Sequence, residues 1–530
     1  MIVTHYMIPA STTAPNPPAP FPWREGGALS SADKLFDLFM PFRRSFEFRI
    51  CRFGFVVLGA LCVLRGEKAL AEDDVQIKPR VELHLAWDKP LAALAASAES
   101  LAREPESPHA WGMAAAALFR NADFDASESA AKHALKLDPN QPDAHVALAR
   151  CFDTLGFDEK EREHLEAAAR AEAEHPVALR QLSGALDHNK ERARAIELCK
   201  KYSDSKDPGP RGELFTRNAK QMLKLFDALK DTELSLLPLE AERTARAATP
   251  LSLAGDEPSV ELDLGGVRKK FLFDTGEESL TITAETAKAC GAKKVGELPA
   301  STATGIETMK VVLVPEVKLG AFRVRNVLAG VGSSDIVGPP IFKNCRVKMD
   351  FAKGEVVLTN QPAETRPAPQ DLELQAGDPP GARRVRFRRH GGMVWIPVKT
   401  PGEAAPLARR IAWGFLDSGC APPALLFPRY LEALKSEPGK GPLSLPLKTS
   451  LGGAAGEGIE QLMRVLPEFT LNFLGAEVRA DKALSTDALL SVSAACECEL
   501  DVIVGWPPIR RAFKSIEIDY ARCVLVLEPK

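Results

Sequence analysis

Two tripeptides, Asp274-Thr275-Gly276 and Asp417-Ser418-Gly419, constrain the folding of this chain more than any other feature. An apolar run leads into each, Phe271-Leu272-Phe273 in one place and Phe415-Leu416 in the other. An apolar pair and a glycine follow each, Ile336-Val337-Gly338 and Ile503-Val504-Gly505. The likeness continues downstream, where Pro339-Pro340-Ile341 is matched by Pro507-Pro508-Ile509 and Asp350-Phe351-Ala352 by Asp519-Tyr520-Ala521. The Pro-Pro-Ile copies lie 168 residues apart, the Asp-aromatic-Ala copies 169 and the tripeptides 143. One Asp-Thr-Gly alone is a common turn sequence. Two in matching surroundings imply one unit present twice, with longer loops inside the second copy.

The pattern around each tripeptide is that of strands. Val260, Leu262 and Leu264 alternate with Glu261 and Asp263, the period of a half-buried strand. Gly265-Gly266 then supplies a two-residue hairpin turn. Strand-like runs continue through Met309–Val314 and Val356–Leu358, and resume at Val385 and Met393–Ile396. Residues 245–360 and 384–530 are therefore expected to be two all-β lobes, joined by a Pro-, Gln- and Gly-containing linker over 361–383.

Upstream the chemistry changes. Residues 85–235 are rich in Ala and Leu and poor in β-branched side chains, which favours helix. Pro108, Pro142, Pro176 and Pro210 recur every 34 residues, and Ala110, Ala144 and Ala178 keep the same step. Proline is tolerated in the first turn of a helix, where its missing N–H costs nothing. A helix–turn–helix unit of this length resembles the tetratricopeptide repeat. Ser107–Asn140 is the clearest unit, and helices near 90–103 and 211–231 are expected to cap the array. Such an array offers a face for extended peptides or protein partners.

At 530 residues the chain has room for roughly three or four domains of about 150 residues. Its net charge of −3, without a basic stripe, argues against a nucleic-acid partner. The nine histidines are scattered and form no zinc motif, so no metal and no cofactor is expected. Gly452-Gly453-Ala454-Ala455-Gly456 lacks the Lys-Ser/Thr of a phosphate loop. Phe53–Leu64 is too short to span a bilayer, which excludes a multi-span membrane protein from this segment. Four arginines precede it and Ala69-Leu70-Ala71 follows, the order of an export signal over 40–71. Met40 is then the expected start, residues 1–39 an upstream extension without a fold, and the expected destination periplasmic or extracellular, with a membrane anchor if the signal is not cleaved. Export would permit disulfides among the remaining cysteines, in pairings the sequence does not specify.

The two Asp-Thr/Ser-Gly units resemble the retropepsin-like aspartic peptidases, the bacterial relatives of pepsin and retroviral proteases. The resemblance implies a multidomain chain: an all-α tetratricopeptide-like helical array followed by an all-β, bilobal acid-protease-like domain. It implies that Asp274 and Asp417 are the catalytic carboxylates, one from each lobe. Thr275 and Ser418 would brace the two loops, Gly276 and Gly419 would allow the close approach, and Gly338 and Gly505 would pack beneath. Hairpin flaps are expected near Thr304-Gly305-Ile306 and Gly453–Gly458. Glu277-Glu278-Ser279 departs from the family, which has a small residue and then Ser or Thr, and two more carboxylates beside Asp274 would raise its pKa unless they point outward. Asp350 and Asp519 read as structural, Asp335 and Asp501 as surface or turn residues, and Trp395 and Trp413 as core. Two functions fit: an endopeptidase whose array recruits substrate or a partner, and a non-catalytic peptide-binding scaffold with degenerate lobes.

Overall fold

The computed structural model describes Leu85 and residues 89–530, apart from 206–208, 235–245, 254–257, 303–304, 321, 343–344, 361–377, 391, 400–410, 436–444, 454–455 and 486–496. The export signal, its cleavage site, the expected start at Met40, most of the linker, and residues 303–304 and 454–455 within the two expected flaps lie outside the described residues.

Among the described residues, eight helices form the N-terminal array: α1 (Pro90–Arg103), α2 (Pro108–Arg120), α3 (Phe124–Leu137), α4 (Pro142–Thr154), α5 (Asp158–Ala171), α6 (Pro176–Ala185), α7 (Arg192–Asp204) and α8 (Gly209–Ala228). The recurring Pro and Ala have one cause. Ser107, Gln141 and His175 cap α2, α4 and α6, each accepting a hydrogen bond from the N–H of Ala110, Ala144 or Ala178. Proline follows each cap at the first helical position, where no donor is needed. The alanines let neighbouring helices approach, and Ala93, Ala115, Ala131 and Ala134 are fully buried between them. Ser127 Oγ on α3 donates to Ala115 O on α2 (2.8 Å), closing the first repeat.

Lobe 1 comprises β1 (Arg246–Ser252), β2 (Ser259–Leu264), β3 (Val267–Phe273), β4 (Leu280–Thr283), β5 (Lys293–Thr302), β6 (Gly305–Leu319), β7 (Phe322–Gly332), β8 (Ile336–Val337), β9 (Cys345–Asp350) and β10 (Glu355–Asn360). Lobe 2 comprises β11 (Arg383–Arg386), β12 (Arg388–His390), β13 (Met393–Lys399), β14 (Ala412–Leu416), β15 (Ala424–Leu426), β16 (Leu445–Gly453), β17 (Gly456–Phe473), β18 (Ala476–Ser485), β19 (Val502–Val504), β20 (Phe513–Asp519) and β21 (Val524–Pro529).

The duplication seen in the sequence is a duplication of topology. Lobe 1 runs β3-β8-β4-β7-β6-β5 across its sheet, and lobe 2 runs β14-β19-β15-β18-β17-β16. β3 lies parallel to β8 with Phe273 opposite Val337, as β14 lies parallel to β19 with Leu416 opposite Val504. The terminal hairpins of the lobes join edge to edge, β9 pairing antiparallel with β20 from Ser515–Asp350 to Asp519–Arg346. A single hydrophobic core runs through both lobes, and Phe351 of one meets Trp506 of the other at 5.0 Å between ring centroids.

The array is docked on the lobes. Phe119, Ala122, Phe124 and Cys151 share a core with Trp395, Trp413, Phe415, Leu425, Phe427 and Ile503 of lobe 2. Trp413 Nε1 donates to Ala122 O (2.9 Å), Arg388 reaches Thr154 Oγ1 and Asp125 (2.8 Å each), and Arg389 binds Asp153 and Asp158. At its far end α8 packs Leu225, with Leu229 and Leu234 beyond it, against Leu298 on β5 and Val311 on β6 of lobe 1.

Of the two aspartates read as surface or turn residues, Asp501 is not on the surface. Asp501 is fully buried and accepts the N–H of Trp413 (2.7 Å), while half-buried Asp335 takes the N–H of Thr283 (2.7 Å) and the hydroxyl of Thr286 (2.8 Å). Each tethers the strand before its packing glycine to a neighbour, a role that a polar residue can fill only when backbone donors are at hand. Asp350 and Asp519 close the turns after β9 and β20 by accepting the N–H of Lys353 and Arg522 (3.0 Å each). Cys290, Cys345, Cys420 and Cys523 are buried thiols. Among the described residues no helix is long and apolar enough to cross a membrane.

Candidate active site

Each half-site is a loop leaving the end of a central strand. After Phe273 the N–H of Asp274 donates to Val337 O (3.0 Å), and after Leu416 the N–H of Asp417 donates to Val504 O (2.9 Å). The packing glycines complete each loop from below. Gly338 N–H donates to Ser279 O (2.7 Å) and Gly505 N–H to Pro423 O (3.1 Å). A Cβ on Gly338 would overlap the carbonyl oxygen of Glu277, and one on Gly505 that of Pro422, so no other residue fits at either position.

Four reciprocal hydrogen bonds lock the loops together. Thr275 Oγ1 donates to Leu416 O (2.8 Å) and accepts from Ser418 N (2.9 Å); Ser418 Oγ donates to Phe273 O (2.6 Å) and accepts from Thr275 N (2.9 Å). Both hydroxyls are inaccessible, Thr275 at 1% and Ser418 at 0% exposure. The lock brings Asp274 and Asp417 together, each carboxyl lying against the glycine of the other loop. Gly276 and Gly419 make room for it: a Cβ on Gly276 would sit 2.8 Å from Asp417 Cγ, and one on Gly419 would collide with the Asp274 carboxylate.

The two carboxyls are not equivalent. Asp274 Oδ1 accepts two backbone N–H groups, from Gly276 (2.8 Å) and Gly419 (3.1 Å). Its pKa is raised by desolvation, against which the two N–H donors act. Asp417 is pushed well above the ordinary carboxylate range by desolvation and then by the negative charge of Asp274. Asp417 Oδ1 is buried and has no hydrogen-bond partner among the described residues. The pair therefore shares one proton and titrates as a unit.

Glu277 does not point away from the site. Glu277 folds back so that Oε1 accepts the N–H and hydroxyl of Ser279 (3.2 Å each) and Oε2 the hydroxyl of Thr281 (3.4 Å). Desolvation and the charge of Asp274 push its pKa up to about 7. Glu278 lies against the turn between β12 and β13, where a Cβ on Gly392 would come within 3.3 Å of its Cγ. Its pKa is raised further, by desolvation, by Glu277 and by Asp153 of the array. In lobe 2 the place of Glu277 belongs to Cys420, whose N–H donates to Asp417 O (3.3 Å) as that of Glu277 donates to Asp274 O (3.2 Å). Burial beside two carboxylates keeps this thiol protonated, so it is no nucleophile. No group of three His, Cys, Asp or Glu side chains that could hold a metal occurs among the described residues.

Residues 260–341 match the family model of aspartyl proteases. That span contains the first tripeptide, its packing glycine and the strands between them, and over it the chain resembles a retropepsin-like lobe. Among solved structures, a retropepsin-like aspartic protease from Rickettsia conorii is 16% identical over 22% of this chain and 92% of its own, with a TM-score of 0.18. The TPR2B domain of yeast Sti1, in a pHsp70 complex, is 20% identical over 24% of this chain and 95% of its own, with a TM-score of 0.18. MamA from Desulfovibrio magneticus RS-1 is 20% identical over 29% and 84%, with a TM-score of 0.22. No curated protein matches the chain.

All eight residues assigned from the sequence, the two aspartates, Thr275, Ser418 and the four glycines, thus gather at one place. Sequence reasoning missed Tyr520, a fully buried residue whose hydroxyl has no partner among the described residues and feels the charge of Asp274. Its place in the Asp-aromatic-Ala repeat was visible, but its proximity to the other lobe's aspartate depends on the β9–β20 pairing.

Proposed function

We propose that the chain is an aspartic endopeptidase that hydrolyses peptide bonds with water activated between Asp274 and Asp417. The charged carboxylate of the pair takes a proton from the water, and the protonated one gives its proton to the scissile carbonyl oxygen. The attack forms a tetrahedral diol directly, with no covalent enzyme intermediate. The first carboxyl then gives its proton to the leaving nitrogen while the second takes one from a diol hydroxyl, so that the C–N bond breaks, an acid and an amine leave, and the shared-proton state returns. The observation that carries this reading is the reciprocal Thr275–Ser418 lock, which serves to hold two carboxylates together at the cost of forcing them to share a proton. The arginine-rich, apolar and Ala-Leu-Ala order over 43–71 supports a site of action reached by export. Recruitment of a peptide or protein by the array would use faces other than those covered by lobe 2 and by β5 and β6.

A second reading, a non-catalytic peptide-binding scaffold, is favoured by Glu277, whose charge would oppose that of Asp274. One experiment separates the two. Purified protein is incubated with a mixed peptide library from acidic to neutral pH, with and without a statine-type inhibitor, beside Asp274→Asn and Asp417→Asn. Cleavage by the parent alone, blocked by the inhibitor, supports the peptidase. Cleavage that persists in either variant, or is absent from the parent at every pH, rejects it.

A further inference from the structure

We propose that the helical array is a positioning element of the active site, tying lobe 2 to lobe 1 through a continuous chain of contacts anchored at Glu497 and Leu225. At the lobe 2 end, Glu497 is 7% exposed and holds a left-handed backbone conformation (φ 52°). Its carboxylate receives Arg180 Nη2 at 2.8 and 2.9 Å and Arg150 Nη2 at 3.4 Å, and its carbonyl receives Arg150 at 3.3 Å. Two residues on, the N–H of Glu499 donates to Arg120 O (3.0 Å). Arg120, Arg150 and Arg180 are spaced 30 residues apart, one helical turn less than the repeat, so each successive repeat presents its arginine about a turn nearer the helix start. The diagonal row follows the segment that leads into β19 and so to Gly505.

The chain of contacts continues to lobe 1. The guanidinium of Arg180 lies 4.2 Å from the ring centroid of Phe215 on α8. Ten residues along the same helix, about 15 Å further, Leu225 packs against Leu298 and Val311 of the β5–β6 hairpin. A Cβ on Gly296 of β5 would meet Leu225 Cδ1 at 3.5 Å, and just past the helix Glu233 O accepts Asn326 Nδ2 of β7 (2.7 Å). A rigid helix thus bears on lobe 1 at one end and, through Arg180, on lobe 2 at the other. The dyad needs one carboxylate from each lobe, so whatever fixes the lobes relative to each other fixes the distance between the carboxylates. The array does this from outside, whereas the Thr275–Ser418 lock does it from within.

The test uses the full chain with Leu225→Ala, Glu497→Gln and the double variant, each first shown by circular dichroism to retain its helix and strand content. Amide exchange is read on peptides spanning Phe273–Gly276 and Leu416–Gly419, where the N–H groups of Thr275 and Ser418 bond across the lobes. Protection there is expected to fall at least about threefold in each single variant, while β2 within lobe 1 stays protected. The double variant is expected to fall short of the product of the two, as for anchors on one connected element. This part of the test needs no turnover. The catalytic part rests on the peptidase reading: looser lobes weaken proton sharing, so the two limbs of the pH–rate profile move toward each other, a change that loss of active protein alone would not produce. Unchanged protection at both peptides in both single variants, or effects that simply multiply, overturns the inference whether or not the protein cleaves peptides. A parent without activity whose variants lose protection overturns the peptidase reading and leaves the positioning role standing.

Discussion

Replacing Thr275 by Val tests the lock between the lobes with little change of shape. The hydroxyl it removes donates to Leu416 O and accepts the N–H of Ser418, and both contacts are buried. Valine fills the same volume but leaves that N–H and that carbonyl without their partner. An orphaned buried polar group costs about 1–3 kcal/mol, so the variant should lose about 2–6 kcal/mol. Against the 5–15 kcal/mol typical of a folded domain, this is a large share. Urea unfolding followed by tryptophan fluorescence reads it, with Thr275→Ser as the control that keeps the hydroxyl. Ser418→Ala and the double variant complete a cycle, where a coupling of at least about 1 kcal/mol is expected because all four bonds belong to one network. A Thr275→Val protein within about 0.5 kcal/mol of the parent, or strict additivity in the cycle, would refute the claim that these bonds hold the half-sites together.

Other outcomes follow from the same geometry. Asp274→Asn and Asp417→Asn should each lower kcat by at least about a thousandfold, judged from the size of catalytic-group effects, and leave the circular dichroism spectrum unchanged; single-turnover peptide cleavage checks this. Glu277 is held neutral to about 7 against an ordinary value of 4.5, so the folded state keeps a proton that the unfolded chain has lost. Stability should therefore decline as pH rises from about 4.5 to about 7, and Glu277→Gln should flatten that decline by up to about 3 kcal/mol, seen in urea midpoints across pH. Gly338→Ala drives a methyl into the Glu277 carbonyl and should cost more than about 4 kcal/mol or prevent folding; soluble yield and thermal melting decide. Gly265→Ala, in an open hairpin turn at φ 61°, should cost only about 1 kcal/mol by the same measurements.

Much of the site could be read from the sequence because its determinants are local. An aspartate, a hydroxyl and a glycine in succession leave an apolar strand, and a second glycine must sit where any side chain would strike the loop. Pro and Ala recur at 34 because each repeat uses the same cap, with the cap oxygen or nitrogen meeting the N–H of the third helical residue. What could not be read depends on meetings between distant segments. Arg180 and Glu497 lie 317 residues apart and Arg150 and Glu497 lie 347 apart, and neither pair shares a motif. Trp413 was recognisable as an interior residue, but not as one whose indole faces the array. Asp501 looked exposed because carboxylates usually are; its partner is a backbone N–H, which no side-chain pattern announces. The inward turn of Glu277 likewise depends on two hydroxyls, Ser279 and Thr281, supplied by the start of β4.

Carrying both half-sites on one polypeptide frees them to diverge. Four residues before each aspartate, lobe 1 has exposed Lys270 and lobe 2 has buried Trp413, which donates to the array. An enzyme assembled from two identical subunits would have to place the same residue at both positions, and so carry either two docked arrays or none. Here one flank of the cleft can become a permanent anchorage while the other stays open to solvent. The symmetry that chemistry demands is confined to the few atoms around the carboxylates.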